Sequence, residues 1–148
     1  MRIILVEDDY WQSDWISLHL KTNFKVSPEQ VFTEYDFHKQ FESYIQKPPD
    51  AVIMDVMLPW TEAAEDMEPR PPKVKEEGAY RAGLRCRELL AGNERTKNIP
   101  VIFYTVLDKN DLESELQDLP ENAVFLLKDS DAEPLIKEIR RITSLSLK

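Results

Sequence analysis

The sequence predicts an α/β domain, a doubly wound five-stranded parallel sheet with helices on both faces, and two observations carry that expectation. Short apolar runs recur five times, at Ile3 to Val6, Val31 to Thr33, Ala51 to Met54, Val101 to Tyr104 and Val124 to Leu127. Three are nearly unbroken hydrophobe, as strands buried on both faces require. Each run is followed by apolar residues at helical spacing, and such alternation with right-handed crossovers gives a parallel sheet between two helical layers.

Taken in order, the first helix is patterned by Trp11, Trp15 and Leu18, the second by Phe37, Phe41, Tyr44 and Ile45, and the third by Cys86, Leu89 and Leu90. Leu112, Leu116 and Leu119 mark the fourth, and Leu135, Ile139 and Ile142 the fifth. Asp36, Asp108 and Asp131 stand where N-caps belong, with Pro134 in the first turn of the last helix. One stretch breaks the rhythm. Residues 59–78 carry Pro59, Pro69, Pro71 and Pro72 among mixed charges, with almost no large apolar residue after Trp60. This predicts a surface loop inserted between the third strand and its helix, within a single domain spanning 1–148.

Composition narrows the function. The 148 residues include 19 Lys plus Arg against 28 Asp plus Glu, a net charge of −9. That balance argues against nucleic acid as a partner, because affinity for a phosphate backbone rests on basic side chains displacing counterions. The lone cysteine, Cys86, has no partner for an internal disulfide, and His19 and His38 lack metal-ligand spacing. No apolar run reaches membrane-spanning or signal-peptide length, so the sequence predicts a cytoplasmic protein without a membrane partner.

In an open α/β sheet the functional site lies beyond the carboxyl ends of the strands. Here the first strand ends in Glu7, Asp8 and Asp9, the third in Asp55 and the fourth in Thr105, while Lys128 follows the fifth. Each has a plainer explanation when taken alone: a helix cap for Asp8 or Asp9, a turn for Asp55, strand propensity for Thr105, an exposed ion pair for Lys128. Their joint placement at four strand ends points to chemistry instead. Clustered carboxylates repel, and a hard divalent cation such as Mg2+ relieves them while also binding phosphate oxygens.

The segments ILVEDD, VIMDVMLP, PVIFYT and LLKD resemble the four motif blocks of the response-regulator receiver domain, in that family's order. The resemblance covers the chain outside the 59–78 insertion. It implies that Asp55 is the phospho-acceptor, that Asp8, Asp9 and Asp55 hold Mg2+, and that Met57 adds its backbone carbonyl. It implies further that Thr105 bonds the phosphoryl group, that Lys128 pairs with its charge, and that Phe125 is an aromatic switch. Met57 and Leu107 would flank the path of the hydrolytic water.

Three departures stand out. Gly83, which would open the third helix, lies 28 residues after Asp55 because of the insertion. Asp129 follows Lys128 where the family has a proline, so a trans bond is expected, since a non-proline cis bond costs about 3 kcal/mol. Val106 follows Thr105 where a small residue is usual. The expectation is a stand-alone receiver, a Mg2+-dependent phosphorylation switch and not an enzyme with a separate substrate. Its partners would be a sensor histidine kinase or a histidine phosphotransfer protein, and a downstream protein target. The alternative is a receiver-like interaction module that works without phosphorylation.

Overall fold

A computed structural model describes residues 1–61, 69–106 and 122–146, with the backbone alone at 80 and 144–146. Strands β1 (Ile3–Val6), β2 (Glu29–Val31), β3 (Ala51–Met54), β4 (Val101–Thr105) and β5 (Ala123–Leu127) form one parallel sheet in the order β2-β1-β3-β4-β5. The chain leaves β1 for β2 on one side and returns to β3 on the other. That reversal opens a crevice at the carboxyl ends of β1 and β3, where α/β sheets bind their ligands.

Period-two alternation splits the core. Ile4, Val6, Val52, Met54, Val101 and Phe103 pack against α2 (Glu34–Gln46) and α4 (Ala82–Ala91) through Phe37, Tyr44, Cys86 and Leu90. On the opposite face Ile3, Leu5, Ala51, Ile53, Ile102 and Tyr104 meet α1 (Tyr10–Phe24) and α5 (Glu133–Ser146) through Ile16, Leu20, Leu135 and Ile139. Each buried Val, Leu, Ile, Met or Phe among them contributes about 1.5–3 kcal/mol, which outweighs weak local propensities. No helix among the described residues is long and apolar enough to cross a membrane.

The structure corrects several local expectations. In α1 the buried face is Ser13, Ile16 and Leu20, while Trp11 is 72% exposed and Leu18 61% exposed. Two apolar stripes compete on this helix, and the compact aliphatic one packs on the sheet. Trp15 is half-buried and meets His19 edge-on. The second strand lies two residues earlier than its apolar run, and Thr33, not Asp36, caps α2: its Oγ1 accepts from the Asp36 amide at 3.1 Å. Asp131, two residues before the last helix begins, accepts from the Glu133 amide at 3.0 Å.

The insertion is more than a loop. Pro72 opens a short helix, α3 (Pro72–Glu77), whose Val74 is buried, and a 3-10 turn over Ala79–Arg81 leads from it into α4. Lys73 bonds Glu88 of α4 at 2.7 Å. Six residues with one buried apolar side chain are too few to show helical periodicity in sequence. Trp60 is buried, with its ring 5.4 Å from both Tyr35 and His38. Residues 62–68 lie outside the described residues, as does the expected fourth helix with Asp108, Leu112, Leu116 and Leu119, and Leu107 before it.

Candidate functional site

The alternation that builds the core also aims the site. Glu7 continues the Ile3–Leu5 face, Asp55 the Ala51–Ile53 face and Lys128 that of Leu126, so all three emerge on the α1/α5 side of the sheet. Main-chain bonds to the neighbouring strand fix each of them: Glu7 N to Val31 O at 2.9 Å, Asp55 N to Val6 O at 2.9 Å and Lys128 N to Thr105 O at 2.7 Å.

Lys128 Nζ sits 2.5 Å from Glu7 Oε2 and 2.8 Å from Asp55 Oδ2. The other oxygen of Asp55, Oδ1, accepts from the Met57 amide at 3.2 Å. Carboxylate oxygens of Glu7, Asp8 and Asp55 all lie within 4.8 Å of one another. Glu7 and Asp55 are buried and Asp8 is exposed, so the cluster has an open side. Burial, reinforced by the charge of Asp55, pushes the Glu7 carboxyl up to about 7 even though Lys128 pulls it down. Asp8 is also raised, by burial first and by Asp55 as a lesser cause. For Lys128 burial favours loss of the proton, but Asp55 and Glu7 outweigh it and the ammonium is held above its usual range.

The acidic pair beside Asp55 is therefore Glu7 and Asp8. Asp9, expected as a metal ligand, is the N-cap of α1 and accepts from the Gln12 amide at 3.0 Å, while its own amide donates to Glu7 Oε1 at 3.2 Å. The reason is local. The residue just before the first helical position must satisfy the free amides of the first turn, and a carboxylate committed there points along the helix. The signal for Glu7 was its parity with Ile3 and Leu5, legible once the strand's last residue was known.

The remaining expected residues fall around this cluster. Thr105 ends β4 and is buried, and the next residue, Val106, is 61% exposed. Phe125, half-buried in β5, pairs in register with Phe103 and packs on the opposite face of the sheet. Met57 lies in the loop beyond Asp55, half-buried. All described peptide bonds are trans, that between Lys128 and Asp129 included. A groove of about 380 Å³ is lined by Trp11, Trp15 and Val106 together with Lys128, which bonds the carboxylates. Cys86 is fully buried, and burial pushes its thiol well up, which leaves it unreactive.

No protein-family model and no curated protein matches the chain. Solved structures do. The signal receiver domain of a signal transduction histidine kinase from Syntrophus aciditrophicus is similar at a TM-score of 0.66 and 23% identity, covering 97% of this chain and 89% of that one. A response regulator from Desulfuromonas acetoxidans is similar at 0.63 and 19% identity, covering 97% of both chains. The receiver domain of a Francisella response regulator is similar at 0.68 and 15% identity, covering 98% of both. Sheet order, strand-end acids and these whole-length likenesses agree: the chain has the fold of the response-regulator receiver domain.

Proposed function

We propose that the chain is a receiver-type phosphorylation switch in two-component signalling, with Asp55 as the phosphoryl acceptor. The observation that carries this reading is the cluster itself: the Asp55 carboxylate lies 2.8 Å from the Lys128 ammonium and within 4.8 Å of Glu7 and Asp8, at the crevice between β1 and β3. In the transfer, an Asp55 oxygen attacks the phosphorus of a phosphohistidine on a histidine kinase or phosphotransfer protein. The phosphorus–nitrogen bond breaks, and the imidazole leaves with its electron pair and takes up a proton. Lys128 offsets charge on the transferring oxygens, and the Thr105 hydroxyl donates a hydrogen bond to the phosphoryl group once it is on Asp55. Phe125 then follows Thr105 inward, and a protein partner reads the altered surface. The acyl phosphate resets by hydrolysis, so the chain assists its own phosphorylation and dephosphorylation and turns over no other substrate.

Mg2+ fits the donor set. Three carboxylates face one ammonium and every donor is oxygen, which suits a hard divalent cation. Glu7, Asp8 and Asp55 would hold the ion with the Met57 carbonyl, and bound there it supplies further neutralisation of the phosphoryl oxygens. The groove walled by Trp11 and Val106 is the approach for the phosphohistidine.

Incubation with Mg2+ and a small acyl-phosphate donor should add one phosphoryl group at Asp55, read by mass spectrometry, and Asp55→Asn should take none. Labelling of Asp55→Asn at the wild-type level would sink the assignment. One observation favours the alternative, an interaction module independent of phosphorylation: Lys128 already satisfies Glu7 and Asp55 together. Wild-type protein that neither binds Mg2+ nor takes phosphate would establish it.

A further inference from the structure

The loop that carries Asp55 and Met57 is gripped from two sides. On one side Gly83 N donates to Val56 O at 2.8 Å and Leu58 N to Ala79 O at 3.1 Å. A Cβ on Gly83 would stand 2.3 Å from Asp55 O and 2.8 Å from the Val56 Cα, so α4 rests directly on the acceptor's main chain. On the other side the first two amides of α2 reach the same loop, Glu34 N to Pro59 O at 3.0 Å and Tyr35 N to Trp60 O at 2.9 Å.

Arg85 and Glu34 tie these two grips together. Arg85, two residues beyond Gly83, donates from Nε to Glu34 Oε2 at 2.8 Å and from Nη2 to Glu34 Oε1 at 2.7 Å, with both side chains buried. Its Nη1 reaches Glu77 of α3 at 3.2 Å, which draws the inserted helix into the same brace. A buried ion pair is a weak source of net stability, because desolvation offsets most of the attraction. A planar guanidinium bonded at two points does supply fixed distance and orientation between the helices that bear it and its partner.

We propose that Glu34 and Arg85 are positioning residues for the acceptor loop, holding the Asp55–Met57 main chain in place for a divalent cation. The inference rests on the reading of Asp55 as phosphoryl acceptor. Neither side chain touches the cluster; both act through α2 and α4 on the backbone that presents it. Groups that hydrogen-bond metal ligands directly set affinity by roughly ten- to a hundredfold, and a brace acting through the backbone should fall at the low end of that range.

The test is Mg2+ affinity by calorimetry, well below the melting temperature, on the wild type, Asp55→Asn, Arg85→Lys and the neutral double variant Glu34→Gln/Arg85→Met, with thermal melts alongside. The double variant leaves no buried charge unpaired, so it should melt cooperatively near the wild type while its Mg2+ dissociation constant rises about tenfold. Arg85→Lys, which keeps the charge but loses the fork, should fall between. A folded double variant that binds Mg2+ as the wild type does overturns the inference and leaves the acceptor reading standing. If that variant does not fold, Arg85→Lys decides, and wild-type affinity there overturns the inference equally. Wild-type protein that binds no Mg2+ removes the acceptor reading and the inference with it.

Discussion

Glu7 and Glu34 are both buried glutamates bonded to a cation at under 3 Å, and their carboxyls are displaced in opposite directions. For Glu34 burial raises the value, but the two bonds from Arg85, with His38 assisting, more than reverse it and the carboxyl is lowered. For Glu7 burial acts the same way and the Asp55 charge adds to it, while a single ammonium is shared with Asp55, so the carboxyl rises to about 7. Burial alone therefore does not decide the protonation of a carboxylate. What separates the two is that Glu34 takes two bonds from a guanidinium, whereas Glu7 takes one from an ammonium and faces the Asp55 charge. One region is closed by its own arginine and serves as a fixture, and the other is short of positive charge and open on the Asp8 side.

The sharpest way to break that comparison is to remove each cation in turn. Arg85→Met leaves Glu34 buried without its fork and should cost about 3–5 kcal/mol in urea denaturation. Lys128→Met should cost less than half as much at pH 6, because the strand-end cluster can take up a proton instead. Equal losses would mean that the two regions do not differ in the way their hydrogen bonds and neighbouring charges imply.

Acidity gives the next effect, with opposite signs in the two places. The folded value of Glu7 lies above its usual 4.5, so its contribution to stability is full below that pH and declines as pH rises to about 7. The decline should be about 2–3 kcal/mol in the metal-free protein, and in Glu7→Gln it should shrink to the smaller part that the raised Asp8 contributes. Mg2+ added above pH 7 should restore stability by binding the folded state alone. Glu34, held low, contributes stability above its ordinary range and loses it as pH falls through its lowered value. Thermal melts from pH 3.5 to 8 in chelator separate the two.

The smallest effect is at the surface. Lys73 and Glu88 join α3 to α4 at 2.7 Å, but both side chains are more than half exposed. Lys73→Ala should shift stability by less than about 0.5 kcal/mol, in contrast to the part-buried bond between Glu77 of α3 and Arg85 of α4. A loss comparable to that of Arg85→Met would place the mooring of α3 in the exposed pair.

Sequence carried most of the sheet because its signals are short-ranged. An apolar run marks a strand wherever that strand packs, and the ends of β1, β3 and β4 and the residue after β5 already held Glu7, Asp55, Thr105 and Lys128. Strand β2 was less legible, since Glu29 and Gln30 lie exposed at the sheet's edge and carry no apolar mark. The helix over residues 72–77 was missed for the same reason, having a single buried apolar residue.

What sequence by itself determined was the alternation of elements and the collection of acids at the strand ends, because both depend on periodicities of two and 3.6 residues that a linear reading contains. Tertiary structure alone decided which acids serve the cluster. Asp9 is spent on the first turn of α1, and Glu7 is brought to Lys128 across 121 positions of chain by the pairing of distant strands. It also decided the Glu34–Arg85 bridge, whose partners stand 51 positions apart and meet because α2 and α4 share one face of the sheet. No local pattern encodes a meeting of two charges that depends on where the helices between them come to rest.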